Sequence, residues 1–141
     1  MKPGYFIKPI SSADAPLPSR WLEEQPELLR SVGSPTKPSS ICAGDLLVYY
    51  SAGDQKLVGI ARSTQSGEDA SLGGRVGYEL RVQPMLMIPD TSFAPTLSDA
   101  GIERGKVMMK PFAQLTDDEY ARAHREIIKR TMPSAEETTG S

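Results

Sequence analysis

The residue types that carry nucleophilic and metal chemistry are scarce in this chain, which has one histidine, His124, and one cysteine, Cys42. A Ser/His/Asp or Cys/His constellation would have to use His124 alone. That residue falls among Tyr120, Ala123, Ile127 and Ile128 at helical spacing, so it reads as a packing position on an apolar helix face. Cys42 precedes Ala43 and Gly44 at the mouth of a strand and reads as a small buried hydrophobe. A lone cysteine excludes an intramolecular disulfide, and with a lone histidine it argues against a zinc site. The run Asp117-Asp118-Glu119 has the composition of an acid/base or metal cluster. Directly after Thr116, however, it fits the first turn of a capped helix, where carboxylates meet the positive end of the helix dipole. Gly73-Gly74 lacks the lysine and the context of a phosphate-cradling loop. The expectation is a protein with no catalytic residues, no metal and no cofactor.

The aromatic residues form a more suggestive set. Tyr5, Phe6, Trp21, Tyr49, Tyr50 and Tyr78 are six of the nine aromatics, and all precede residue 79. Aromatic walls with a few polar groups suit a flat neutral ligand such as a nucleobase, since stacking supplies roughly 1–3 kcal/mol per base. The same rings also serve as ordinary core filler, and composition leaves the two readings open.

The elements that must position these residues are short. Tyr5-Phe6-Ile7 reads as a strand, followed by a Ser- and Pro-rich loop from Ser11 to Pro18. Ser19 is placed to cap a helix carrying Trp21, Leu22, Glu23 and Glu24, and Pro26 demands a kink or a helical restart. The stretch Ser31 to Ser40, with Gly33, Pro35 and Pro38, reads as a surface loop. Leu46 to Tyr50 and Lys56 to Arg62 read as a hairpin, the first strand apolar on both faces and therefore covered on both sides. Gly59 in the return strand points to a close approach by another backbone or a ligand, or to a tight bend. Val76, Tyr78, Leu80 and Val82 alternate with Glu79, Arg81 and Gln83, and Pro84 bends the strand before Met85 to Ile88. Pro95 to Gly101 reads as a helical turn and Val107 to Met109 as a short strand. The closing helix starts at the capping box Thr116 to Glu119, with Leu115 and Tyr120 as its staple.

This order implies an α+β fold, a small mixed or antiparallel β-barrel with peripheral helices, in one domain over residues 1–130. Residues 131–141 are polar and read as a flexible tail. The length of 141 residues, 38% hydrophobic and 24% charged, suits one soluble domain with a real core. No apolar run is long enough to cross a membrane, and the first residues lack a signal-peptide core, so a cytoplasmic location is expected. A net charge of −2 and a pI near 5.4 disfavour a clamp on long duplexes, which is usually strongly basic.

Taken together, Gly44 to Ser51 ("GDLLVYYS"), the return "KLVGIARS", the later "YELRVQPMLMIP", then "PTL" and the closing "LTDDEYARAHREII" resemble the EVE domain of the PUA-like superfamily. The resemblance spans Tyr5 to about Arg130. It implies a PUA-like barrel related to the YTH readers of methylated RNA, whose aromatic pockets hold one modified base. It further implies a non-enzymatic module that binds DNA or RNA carrying a modified base, in a bacterial setting beside a partner nuclease or modification enzyme. By position, Tyr5 and Phe6 match the family's initial Tyr-Trp strand, Trp21 the tryptophan region of its first helix, and Tyr49, Tyr50 and Ser51 its pocket-side strand end. Lys8-Pro9-Ile10-Ser11 stands where the family has a Thr-Asn-Pro or Ser-Glu-Pro triplet. The resemblance thus nominates Tyr5, Phe6, Lys8, Ser11, Trp21, Tyr49, Tyr50 and Ser51 for the ligand, with Trp21 and Tyr49 or Tyr50 stacking on the base. Arg62, Arg75, Arg81 and Lys110 are nominated for flanking phosphates. Two alternatives stay open: a protein-interaction module with a degenerate pocket, and an amidohydrolase like the related ASCH proteins, which act on acylated cytidine through Thr, Lys and Glu. For the latter, Lys8, Thr64 and Glu79 are the matching residue types, without a spacing that unites them.

Overall fold

A curled, seven-stranded mixed sheet organises the chain. The structure, a computed structural model, describes residues 2–11, 14–74, 77–108 and 110–131. Its strands are β1 (Tyr5–Ser11), β2 (Ser31–Ser34), β3 (Leu46–Ser51), β4 (Lys56–Ser63), β5 (Ser71–Gly74), β6 (Gly77–Met87) and β7 (Ala113–Gln114). The helices are α1 (Trp21–Glu24), α2 (Arg104–Val107) and α3 (Asp117–Thr131). The strand order is β2-β6-β4-β3-β1-β7, with β5 added to the first part of β6. The β1–β3 pair is parallel, and the other pairs are antiparallel. This is the expected α+β class, a curled mixed sheet with peripheral helices.

The central position of β3 follows from its sequence. From Leu47 to Ser51 every side chain is buried, as a strand apolar on both faces requires. Its pairing with β4 slips by one residue between Tyr49 and Tyr50, and β4 slips against β6 between Ile60 and Ala61, opposite Pro84. Such irregularities bend and twist a sheet, which here wraps around Trp21, Leu47, Tyr49 and Ile60. Gly59 marks a close backbone approach. A Cβ at that position would lie 2.8 Å from the Leu86 carbonyl oxygen on β6.

Helix α3 forms as its cap dictates. Glu119 N donates to Thr116 Oγ1 at 3.1 Å and Thr116 N donates to Glu119 Oε1 at 2.8 Å, the reciprocal bonds of a capping box. Ala123 and Ile127 are fully buried on its inner face, while His124 is half-buried and tilted against Tyr120.

Several local expectations are corrected. The stretch Ser31–Ser34 is a strand, because Val32 and Ser34 turn inward and β6 supplies the ladder that local propensity did not announce. Ser19 does not cap α1: Arg20 occupies that place without a side-chain bond, and the Ser19 carbonyl accepts from Thr91 N. Pro26 opens a 3-10 turn (Pro26–Leu29), the restart its ring favours. Residues 104–107 form α2, so the strand expected at Val107 is absent there, and Met109 lies outside the described residues. Cys42 is exposed rather than buried, because the turn fixed by Cys42 N and the Asp45 carboxylate directs it outward. Val76, Arg75 and the tail 132–141 lie outside the described residues. No described helix is long and apolar enough to cross a membrane.

Candidate ligand-binding site

The strand order leaves a seam between β1 and β2. On the outer side of β1, β7 pairs only Phe6 and Ile7, so Lys8 to Ser11 run on without a neighbour there. On the other side, β2 is the end strand of the sheet. A cavity of about 440 Å³ opens in this seam, within the roughly 300–1,000 Å³ typical of small-ligand sites. β1 contributes Lys8 to Ser11, the 3-10 turn contributes Glu27 and Leu28, β2 contributes Ser31, Val32 and Gly33, and Glu79 stands on β6.

The wall formed by β2 has hydrogen-bonding capacity of its own. Val82 N donates to the Arg30 carbonyl at 2.8 Å, which fixes the phase of the antiparallel ladder. Val32 then exchanges bonds with Leu80, while Ser31 and Gly33 turn their N–H and C=O groups away from β6. Arg81, opposite Ser31, confirms the phase: its N–H goes to Gln65 and its carbonyl to Thr64 N. Ser31 and Gly33 both line the cavity, so an alternating row of main-chain donors and acceptors faces it.

Lys8 brings a charge to the opposite wall. It is 6% exposed, and its ammonium donates to the Pro9 carbonyl at 3.1 Å and the Pro111 carbonyl at 2.9 Å. No carboxylate among the described residues pairs with it, and burial pushes its pKa down to about 8. The Pro9 carbonyl is thereby capped and Pro9 has no N–H, so the β1 edge is blunted while the β2 edge stays open. Ser11 is held from behind by Ser51, Oγ to Oγ at 3.2 Å, and Ser51 donates to Asp54 at 2.5 Å.

The nominated residues separate into groups. Lys8 and Ser11 line the cavity, with Ser51 directly behind. Trp21 and Tyr49 do not offer stacking faces, a correction to the sequence reading. Both are fully buried, packed edge to face at 6.1 Å. The Trp21 indole N–H donates to the Ile88 carbonyl at 2.8 Å, and the Tyr49 hydroxyl donates to the Leu28 carbonyl at 2.6 Å. They carry the wall from beneath. Tyr50 is 4% exposed and also lies in the core, where burial raises its pKa. Tyr5 stacks on Tyr120 at 4.1 Å, and Phe6 packs edge-on against Phe112. None of these five aromatics lines the cavity, whose walls are aliphatic: Pro9, Ile10, Leu28, Val32 and Pro35. Sequence reasoning missed Ser31, Gly33 and Glu27. The alternation of Val32 and Ser34 was the available signal, masked by the surrounding Gly and Pro.

Among the phosphate candidates, Arg62 and Arg81 are exposed on the outer face of the sheet, and Arg62 donates to the Gln83 side chain at 2.6 Å. Lys110 is exposed, one residue before the Pro111 carbonyl that holds Lys8. Arg75 lies outside the described residues. Thr64 does not line the cavity, whereas Lys8, Ser11 and Glu79 all do. No group of three metal-ligating side chains occurs among the described residues.

No family model matches the chain, and no curated protein matches it by sequence. Solved structures do match. Protein Atu2648 from Agrobacterium tumefaciens aligns with a TM-score of 0.55 and 14% identity over 86% of this chain and 91% of its own. Rpa0253 from Rhodopseudomonas palustris aligns with a TM-score of 0.55 and 13% identity over 91% of this chain and 92% of its own. Human THYN1, solved in complex with DNA containing 5-methylcytosine, aligns with a TM-score of 0.48 and 11% identity over 84% of this chain and 94% of its own. The chain shares the fold of the two bacterial proteins over nearly its whole length.

Proposed function

We propose that this chain is an EVE-type reader that takes a single nucleobase, splayed from its strand, into the seam between β1 and β2. The observation that carries the reading is the open edge of β2. Ser31 and Gly33 present alternating donors and acceptors to a base-sized cavity, and the edge of a nucleobase is a flat array of the same kind. The aliphatic walls take the ring faces and tolerate an added methyl group, which supports a modified base. Lys8 donates to a ring nitrogen or carbonyl, and Glu27 or Glu79 accepts from an exocyclic amine. This reading departs from an aromatic stack: main-chain hydrogen bonds supply the discrimination, and aliphatic contacts supply the burial.

The test is a titration with labelled short DNA and RNA, single- and double-stranded, carrying unmodified, methylated or hydroxymethylated bases. Saturable binding selective for one modified base is expected, and its loss in Gly33→Val. Gly33 faces Glu79 across a non-hydrogen-bonded pair, so a side chain at 33 fills the cavity on that face while suiting a strand. A flat response from folded protein, or full binding by Gly33→Val, overturns the reading.

A second reading is favoured by one specific observation. Lys8, Ser11 and Glu79 all line the cavity, an amine, a hydroxyl and a carboxylate of the kinds the ASCH resemblance nominated, with Ser11 standing in for Thr64. An amide hydrolase would use them as nucleophile or water-positioning hydroxyl, base and acid. Hydrolysis of N-acylated cytidine by purified protein, lost in Ser11→Ala, would replace the reader with this enzyme.

A further inference from the structure

The surroundings of the cavity are unequal in charge. On one side lie Glu23 and Glu24 at the end of α1 and Glu27 on the cavity rim, all exposed. On the other side, Glu79, Arg81 and Gln83 alternate on the outer face of β6, and Arg62 of β4 stands opposite Gln83. No carboxylate among the described residues forms an ion pair with Arg62 or Arg81.

From the strand spacing and the rise per residue, Arg81 and Arg62 stand about 8 Å apart on one face. That is close to the interval between successive phosphates of an extended strand. Beyond Arg62 the same row reaches a second hollow of about 440 Å³, lined by Arg62, Lys2, Cys42 and Gly44. Its one buried carboxylate, Asp45, is occupied by Gly4 N at 2.7 Å and Cys42 N at 2.8 Å, so it does not oppose an anion there.

We infer that the partner is a single strand whose backbone leaves the bound base on one side only, over Arg81 and Arg62 toward the hollow at Cys42. This rests on the base-reading cavity proposed above. The acidic side repels phosphates on the other flank, so the preferred base is a terminal nucleotide. A duplex is disfavoured, because its second strand adds charge that the row of Arg81 and Arg62 does not meet.

The sole cysteine supplies the readout, since Cys42 is exposed and lies in the hollow at the far end of the row. Protein carrying a fluorophore on Cys42 is titrated with a free modified nucleoside and with short single strands bearing that base at the 5′ end, the 3′ end or internally. Each strand carries an acceptor dye at the end remote from the base. One terminal placement is expected to bind several-fold more tightly than the nucleoside and to give high energy transfer. The opposite placement is expected to bind no better than the nucleoside. Arg62→Ala and Arg81→Ala, both exposed and checked for an unchanged melting temperature, are each expected to lower the salt slope of the favoured strand by about 0.7. Nucleoside binding should be unchanged in both variants. Equal affinity for all placements, or unchanged salt slopes in both variants, overturns the path and leaves the base site standing. Failure of the nucleoside and every strand to bind overturns the base site itself.

Discussion

Tyr49 donates its hydroxyl to the Leu28 carbonyl at 2.6 Å, so a ring at the centre of the sheet holds up one wall of the cavity between β1 and β2. The bond joins the core to a 3-10 turn that is otherwise closed by Leu28 N to the Gln25 carbonyl and Arg30 N to the Glu27 carbonyl. Tyr49→Phe keeps the ring and removes the donor. The expected loss is about 1–2 kcal/mol of stability in urea unfolding. Base affinity should fall as well, because the Leu28 wall is freed. Unchanged affinity in a measurably destabilised variant would show that the wall holds itself.

Trp21 belongs to the stability of the fold. It is fully buried and bonded to the Ile88 carbonyl, so Trp21→Ala is expected to cost about 3–5 kcal/mol in chemical unfolding. Trp21→Phe, a milder truncation, should leave a folded protein that still binds the base. Loss of binding by a fully folded Trp21→Phe would restore the indole as a ligand contact.

Lys8 ties stability to pH. Burial lowers its pKa from 10.5 to about 8, so between those values the unfolded chain holds a proton that the folded chain has released. Stability from this group therefore rises as pH climbs through that window, and below it the buried charge costs on the order of 3 kcal/mol. Lys8→Met removes the charge but leaves the Pro9 and Pro111 carbonyls without their donor. The variant should be more stable than wild type at pH 7 by about 1–2 kcal/mol, with the advantage gone by pH 10. Urea unfolding at both pH values checks this, and an equal difference at the two would mean that Lys8 does not titrate in the window.

Thr116→Ala breaks one half of the α3 capping box and frees the Glu119 N–H. The cost should be about 1 kcal/mol. Burial works against the charge of Glu119, and bonds from Lys106 and Thr116 outweigh it, holding its carboxyl below the usual range. Wild type should therefore lose this part of its stability as pH falls through that lowered pKa, and Thr116→Ala, which keeps the Lys106 bond and the backbone N–H of residue 116, should lose nearly as much. Thermal melts at pH 7 and pH 3 check this, since the gap between variant and wild type should be about the same at both.

Elements built from local signals were legible in the chain alone. The capping box at Thr116, the two-faced apolar strand Leu46–Tyr50 and the alternation around Leu80 and Val82 each write their structure into adjacent residues, and each formed where it was read, the strand running one residue further to Ser51. Gly59 likewise announced the contact with Leu86 by lacking a side chain. The cavity between β1 and β2 was decided by tertiary structure. Ser31–Ser34 becomes a strand only because β6 lies beside it, and only the ladder phase turns Ser31 and Gly33 toward the seam. The aromatic residues show the same division. Their identities are fixed by the chain, but whether a ring is a surface or a support depends on what packs over it. Burial is a property of neighbours distant in sequence, and for Trp21 and Tyr49 those neighbours close over both rings.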